Sequence, residues 1–299
     1  MTRNFMQMLQ AKWDEGKFVC VGLDSDLAKI PTSVKEAVAK WEFATDKSDV
    51  IFAFNREIID ATKDLVCAYK PNVAFYEAYG DSGLSGLRQT IYYILRVAPD
   101  VPVIYDAKRA DIGNTNDGYV RSAFGVPGEP DLYCLYADAI TVNPYLGREA
   151  MQPFLDCGDK GIIVLCRTSN YGAGEFQDLP VQTDWAPEGT MPLYQYVAMR
   201  VAKDWNANGN CALVVGATYP DELAQVRQIV GDMPILIPGI GAQGGDLEAT
   251  VKTGKNSRNQ GMIINSSRGI IFASSEPDFA EVARQETQKL HDAITLALG

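Results

Sequence analysis

The chain has 299 residues, 46% hydrophobic and 22% charged, with a formal net charge of -11 and one histidine. That length suits one α/β barrel or two ordinary domains, and an acidic balance without a basic stripe argues against nucleic acid or an anionic membrane as the main partner. An anionic small substrate stays open if cations gather in one cleft.

No apolar run approaches the roughly 20 residues of a membrane span. Asp14 and Glu15 follow soon after Met6-Gln7-Met8-Leu9, which leaves no apolar core for a signal peptide, so a cytoplasmic protein is expected. In chain order, short β-rich runs recur at Phe18 to Leu23, Val66 to Pro71, Val101 to Tyr105, Ala139 to Val142, Gly161 to Cys166, Cys211 to Val215, Pro234 to Ile237 and Gly261 to Asn265. Helical spacing lies between them, at Phe54 to Leu65, Ser85 to Val97, Leu193 to Asn206, Pro220 to Val230 and Leu247 to Thr253. Eight strands alternating with helices predict a parallel sheet closed into a single (β/α)8 TIM barrel rather than an open doubly wound sheet. No linker or composition shift divides residues 1–299, so one catalytic domain is expected. Two connections are long, Asp24 to Val50 and Asn170 to Met191; loops of that length are usually lids or inserts.

Cys20, Cys67, Cys134, Cys157, Cys166 and Cys211 form no Cys-x-x-Cys pair, and four of them fall in or beside apolar strands, where Cys serves as a small buried hydrophobe. His291 sits in a helix-like C-terminal segment, far from any strand end. Neither a zinc site nor a Ser-His or Cys-His pair is available, so the chemistry has to use Asp, Lys, Arg and backbone groups.

In a barrel the C-terminal strand ends carry the site. Strand 1 ends in Gly22-Leu23-Asp24, strand 2 in Tyr69-Lys70-Pro71-Asn72, and strand 3 in Asp106-Ala107-Lys108-Arg109-Ala110-Asp111. Side chains at i and i+2 of a strand share a face, so Asp106 and Lys108 are expected to emerge together. Asp111 can bring a second carboxylate to that ammonium or to a neighbouring chain. Singly, each of these is more often a solvated loop residue or a helix cap; at adjoining strand ends they form an alternating charge cluster. Across the barrel, Pro238-Gly239-Ile240-Gly241-Ala242-Gln243 and Ser267-Arg268-Gly269 combine close backbone approach with a guanidinium fork, a pairing suited to phosphate.

With these motifs, together with Asp111-Ile112-Gly113-Asn114-Thr115 and Arg167-Thr168-Ser169-Asn170, the sequence resembles the orotidine 5'-phosphate decarboxylases, in their longer bacterial subgroup, over nearly the whole chain. The resemblance implies conversion of orotidine 5'-phosphate to UMP without metal or organic cofactor, by a homodimer with shared sites. It implies that Asp24 and Lys70 hold the ribose hydroxyls, with Asn72 beside them in the same binding set. It puts Asp106 against the departing carboxylate and makes Lys108 the stabiliser and proton donor of the C6 carbanion. Asp111 and Thr115 would reach the neighbouring subunit's site, Thr168 or Ser169 would bond the pyrimidine, and Gly241, Gln243 and Arg268 would form the phosphate end. Ala110 departs from the Gly of many relatives, at a point that does not touch the charges.

Physical chemistry supports the same assignment. An ammonium between two carboxylates stays protonated, because an opposite charge about 4 Å away at an effective dielectric of 20 contributes on the order of 4 kcal/mol, so Lys108 is read as an acid. A class I aldolase would need a neutral lysine in an apolar pocket. A magnesium-dependent sugar-phosphate decarboxylase would prefer a carboxylate where Lys70 stands. A non-catalytic nucleotide-binding barrel would keep the phosphate loops without needing the charge array.

Overall fold

The computed structural model describes residues 3–42, 46–126, 128, 133–240 and 246–299. Its strands are β1 (Val19–Gly22), β2 (Val66–Lys70), β3 (Ile104–Arg109), β4 (Ala139–Val142), β5 (Gly161–Arg167), β6 (Pro180–Gln182), β7 (Thr190–Pro192), β8 (Cys211–Val215), β9 (Ile235–Pro238) and β10 (Met262–Ser266). Eight of them form one parallel sheet in the order β2-β1-β10-β9-β8-β5-β4-β3. Backbone bridges between Tyr69 and Val103 and between Asn72 and Asp106 join its two ends into a (β/α)8 barrel. Most strands of the eight-stranded sheet are buried on both faces, as in Cys-Ala-Leu-Val-Val of β8, which is why they read as continuous apolar runs rather than as alternating ones.

The helices cover the outside. The helix Lys47–Thr62 begins seven residues before the expected Phe54, because the Asp46 carboxylate caps it by accepting from Ser48 N–H at 2.7 Å. On its inner face Phe54 stacks against Phe272 and Phe279, with ring centroids 5.5 and 5.3 Å away. The helix expected over Leu193 to Asn206 is α-helical at Leu193–Arg200 and widens into a π turn at Val201–Trp205.

At the N-terminal ends of the strands, the helix Phe5–Asp14 closes the barrel. Phe5 packs where a side chain on Gly161 would stand, with ring atoms 2.3 Å from an added Cβ. Arg3 grips the fully buried Asp138 through Nε at 2.8 Å and Nη2 at 2.7 Å. The other end of the barrel is left open for a site. There the long connection after β5 contains a short helix, Gly174–Gln177, and an antiparallel hairpin of β6 and β7, elements the sequence reading did not resolve.

Candidate active site

A cavity of about 490 Å³ opens at the C-terminal mouth of the barrel. Asp24, Lys70, Asn72, Asp106 and Lys108 line one side, and Pro238, Gly239, Ser267, Arg268 and Gly269 line the other. Thr168, Ser169 and Gln177 lie between the two.

At the centre, the Asp106 carboxylate is held between two ammonium groups. Lys70 Nζ donates to Oδ2 at 2.8 Å and Lys108 Nζ donates to Oδ1 at 2.6 Å. Burial alone would push the Asp106 carboxyl up, but the two lysines outweigh it and hold it well below the usual carboxylate range. Burial likewise lowers Lys70, yet Asp106 and Asp24 more than reverse this and leave it above the usual lysine range. A lowered carboxyl adds stability above its unfolded range and loses it as pH falls through the folded value. A raised lysine keeps its contribution until pH climbs through its folded value. The pair is therefore fully charged across neutral pH.

The two lysines differ in freedom. The Lys70 side chain is 5% exposed and fixed, whereas that of Lys108 is 46% exposed and faces open space. Within one chain the array is thus a carboxylate between two ammoniums. The sequence reading had allowed for an ammonium between two carboxylates, with Asp111 as the second; here the Asp111 carboxylate accepts from Ile112 N–H at 2.7 Å and makes no ion pair among the described residues. Neither Asp111 nor Thr115 lines the chain's own cavity.

Asp106 and Lys108 meet, but not through the simple alternation of an extended strand. β3 slips its register against β4 between Tyr105 and Arg109, and Lys108 takes a left-handed backbone with φ of 49°. Such a φ is uncommon outside glycine and marks a locally imposed geometry.

The remaining predicted residues have their own settings. Asp24 Oδ1 is buried and finds no hydrogen-bond partner among the described residues, so an acceptor is left for a bound hydroxyl. Asn72 Oδ1 accepts from Ala74 N–H at 3.2 Å, just ahead of the short helix Ala74–Glu77. Arg268 opens the helix Arg268–Ile271 at the cavity rim, is exposed, and makes no ion pair among the described residues. Gly241 and Gln243 lie outside the described residues. Gly22 has a packing reason: a Cβ there would stand 2.7 Å from Ser267 Cβ, so the loop bearing Arg268 can approach β1 only over a glycine.

Comparison with known proteins settles the family. Residues 17–284 match the family model described as Orotidine 5'-phosphate decarboxylase / HUMPS family. The chain belongs to that family. It is 48% identical over 291 residues to the orotidine 5'-phosphate decarboxylase of Janthinobacterium sp. (strain Marseille), covering 97% of each chain. It is also similar to the solved structure of Leishmania donovani OMP decarboxylase, with a TM-score of 0.77 and 33% identity over 98% of this chain and 99% of that one. For the structure of Leishmania donovani UMP synthase the TM-score is 0.81 at 35% identity, with 99% of this chain covered; the match spans 57% of that longer chain.

Three further residues of the cavity were not picked out by the sequence reading. Thr141 donates to Asp106 Oδ1 at 2.8 Å. Gln177 pairs with Thr168, accepting from its N–H at 2.9 Å and donating to its hydroxyl at 2.8 Å. Asn265 has a buried Oδ1 without a partner among the described residues. Thr141 and Asn265 could have been noticed as polar residues near the C-terminal ends of apolar strands. Gln177 sits in the insert after β5 and carried no such signal.

Proposed function

We propose that the protein is the carboxy-lyase that converts orotidine 5'-phosphate to UMP and CO2 in de novo pyrimidine nucleotide synthesis. The observation that carries the reading is the Asp106 carboxylate pinned between Lys70 and Lys108 on the cavity wall. The full-length likeness to relatives named for this activity supports it. In this reading Asp106 lies against the substrate carboxylate. The C6–carboxylate bond breaks, its electron pair stays on C6, and Lys108 Nζ delivers the proton that completes UMP. A cation already in place stabilises the charge that develops at C6 more than it stabilises the bound substrate.

Asp24, with its unpaired buried oxygen, and Lys70 hold the ribose hydroxyls with Asn72 close by, and Thr168 or Ser169 meets the pyrimidine. Gly241, Gln243 and Arg268 take the phosphate. The chemistry is read as free of metal, because the Lys70 ammonium, bonded to Asp106, already fills the position beside that carboxylate that a divalent cation would need. The working unit is read as a cytoplasmic homodimer of one-barrel chains in which Asp111 and Thr115 serve the partner's site. No helix among the described residues is long and apolar enough to cross a membrane. Nucleic acid has no part in this reading.

The test is to incubate the purified protein with orotidine 5'-phosphate and follow the pyrimidine absorbance while quantifying UMP and CO2. Equimolar products support the reading. A protein that binds UMP but leaves orotidine 5'-phosphate unchanged is the non-catalytic nucleotide-binding barrel instead.

The phosphate end yields a separate expectation. Arg268→Ala should raise KM for orotidine 5'-phosphate by on the order of a hundredfold, as loss of a charged phosphate contact does, and leave turnover of the phosphate-free nucleoside nearly unchanged. Equal loss with both substrates would make Arg268 a structural residue.

A further inference from the structure

We infer that Thr141 is a positioning residue for this chemistry: its hydroxyl ties the Asp106 carboxylate to the left-handed backbone of Lys108 and so sets where the Lys108 ammonium stands. The inference rests on the roles proposed above for Asp106 and Lys108 and adds a residue from the neighbouring strand.

The register of the sheet shows why such a tie is needed. From Tyr105 to Arg109 β3 takes four residue steps while β4 takes two, from Ile140 to Val142. Over that excess the regular ladder is interrupted, and a backbone N–H on β3 loses the carbonyl it would otherwise meet. The Lys108 N–H donates instead to Thr141 Oγ1 at 2.9 Å. A hydroxyl has a single proton; having accepted from Lys108, Thr141 donates its own to Asp106 Oδ1 at 2.8 Å. The same Oδ1 accepts from Lys108 Nζ at 2.6 Å. The bonds therefore close a ring that runs from the Lys108 backbone through Thr141 and Asp106 to the Lys108 ammonium.

Thr141 is well placed to act as the fixed point of that ring. It is buried on β4 between the core residues Ile140 and Val142, and its backbone is in register with Ile163 of β5. Its β-branched side chain has little χ1 freedom, so the hydroxyl direction is set by the strand. Lys108, by contrast, is half exposed at the end of a bulge with φ of 49°. Both bonds made by the Thr141 hydroxyl go to the array, none to its own strand.

The experiment compares wild type, Thr141→Val and Thr141→Ser. Val keeps the shape and loses both bonds, so kcat should fall roughly ten- to a hundredfold, the effect of losing a buried hydrogen bond to a charged group. UMP affinity should stay within about threefold, since the nucleotide contacts are untouched. Ser restores the hydroxyl and should recover most of kcat. A defect of folding alone would lower UMP binding in step with activity and would not be rescued selectively by Ser. If Thr141→Val does not accumulate as folded protein, Thr141→Cys takes its place, because a thiol donates and accepts only weakly. Wild-type kcat in the variant, or loss of kcat and UMP binding together without rescue by Ser, overturns the inference. Wild-type protein that leaves orotidine 5'-phosphate unchanged overturns the functional reading itself, which separates the two failures.

Discussion

Lys108→Ala is expected to lower turnover of orotidine 5'-phosphate by about 10⁴-fold or more, because one side chain supplies both the electrostatic stabilisation of the carbanion and its proton. UMP should bind to this variant nearly as well as to wild type, since the charge is needed mainly as C6 becomes negative. The fold should tolerate the change: the Lys108 side chain is 46% exposed, and Asp106 keeps its bonds to Lys70 and Thr141. Single-turnover kinetics combined with a UMP titration separates binding from chemistry. If affinity for UMP fell as far as turnover, Lys108 would be a binding residue and the proposed proton donor would have to be sought elsewhere.

The second large effect concerns two chains. Asp111 follows the array in sequence but does not line its own chain's cavity, and the neighbouring Ile112 is 60% exposed. An apolar side chain left that open beside a carboxylate is what a two-fold interface would cover. Lys108→Ala and Asp111→Ala should each be nearly inactive alone and should complement each other when mixed. In a mixed dimer one site loses both residues and the other regains a full set. With free exchange at equal amounts about half the dimers are mixed, so roughly a quarter of wild-type activity should return. Mixing two preparations of one variant is the control and should return nothing. A mixture that stays inactive after exchange has been confirmed would show that Asp111 acts within its own chain.

Much of the barrel was legible because parallel strands buried on both faces leave continuous apolar runs; each of the eight expected runs overlaps a strand, the third only at Ile104 and Tyr105. The end of β3 was harder to read. Its apolar run stops at Tyr105, yet pairing continues to Arg109, because Asp106 bridges to Asn72 of the β2 end and Arg109 pairs with Val142 across the bulge. The charged residues were visible as a set from their places at strand ends, but the left-handed Lys108 was not, since nothing in a lysine announces a positive φ. Thr141 could be seen as a polar residue at a strand end, but the role inferred for it could not, since it depends on a register slip in the neighbouring β3, a relation between distant residues. The Arg3–Asp138 clamp is of the same kind, joining residues 135 positions apart. In the insert after β5, Pro180 pairs with Pro192 at the end of a two-stranded hairpin, where a missing N–H is tolerated.

In the proposed reaction a lysine–aspartate–lysine array, rather than a bound metal, decarboxylates the nucleotide. The most direct measurement is the initial rate of orotidine 5'-phosphate turnover by untreated protein, by protein treated with excess chelator, and by the treated protein with Mg²⁺ added. The array predicts one rate in all three conditions, because Lys70 and Lys108 supply the positive charge. Activity that is lost to the chelator and returns with Mg²⁺ would contradict it.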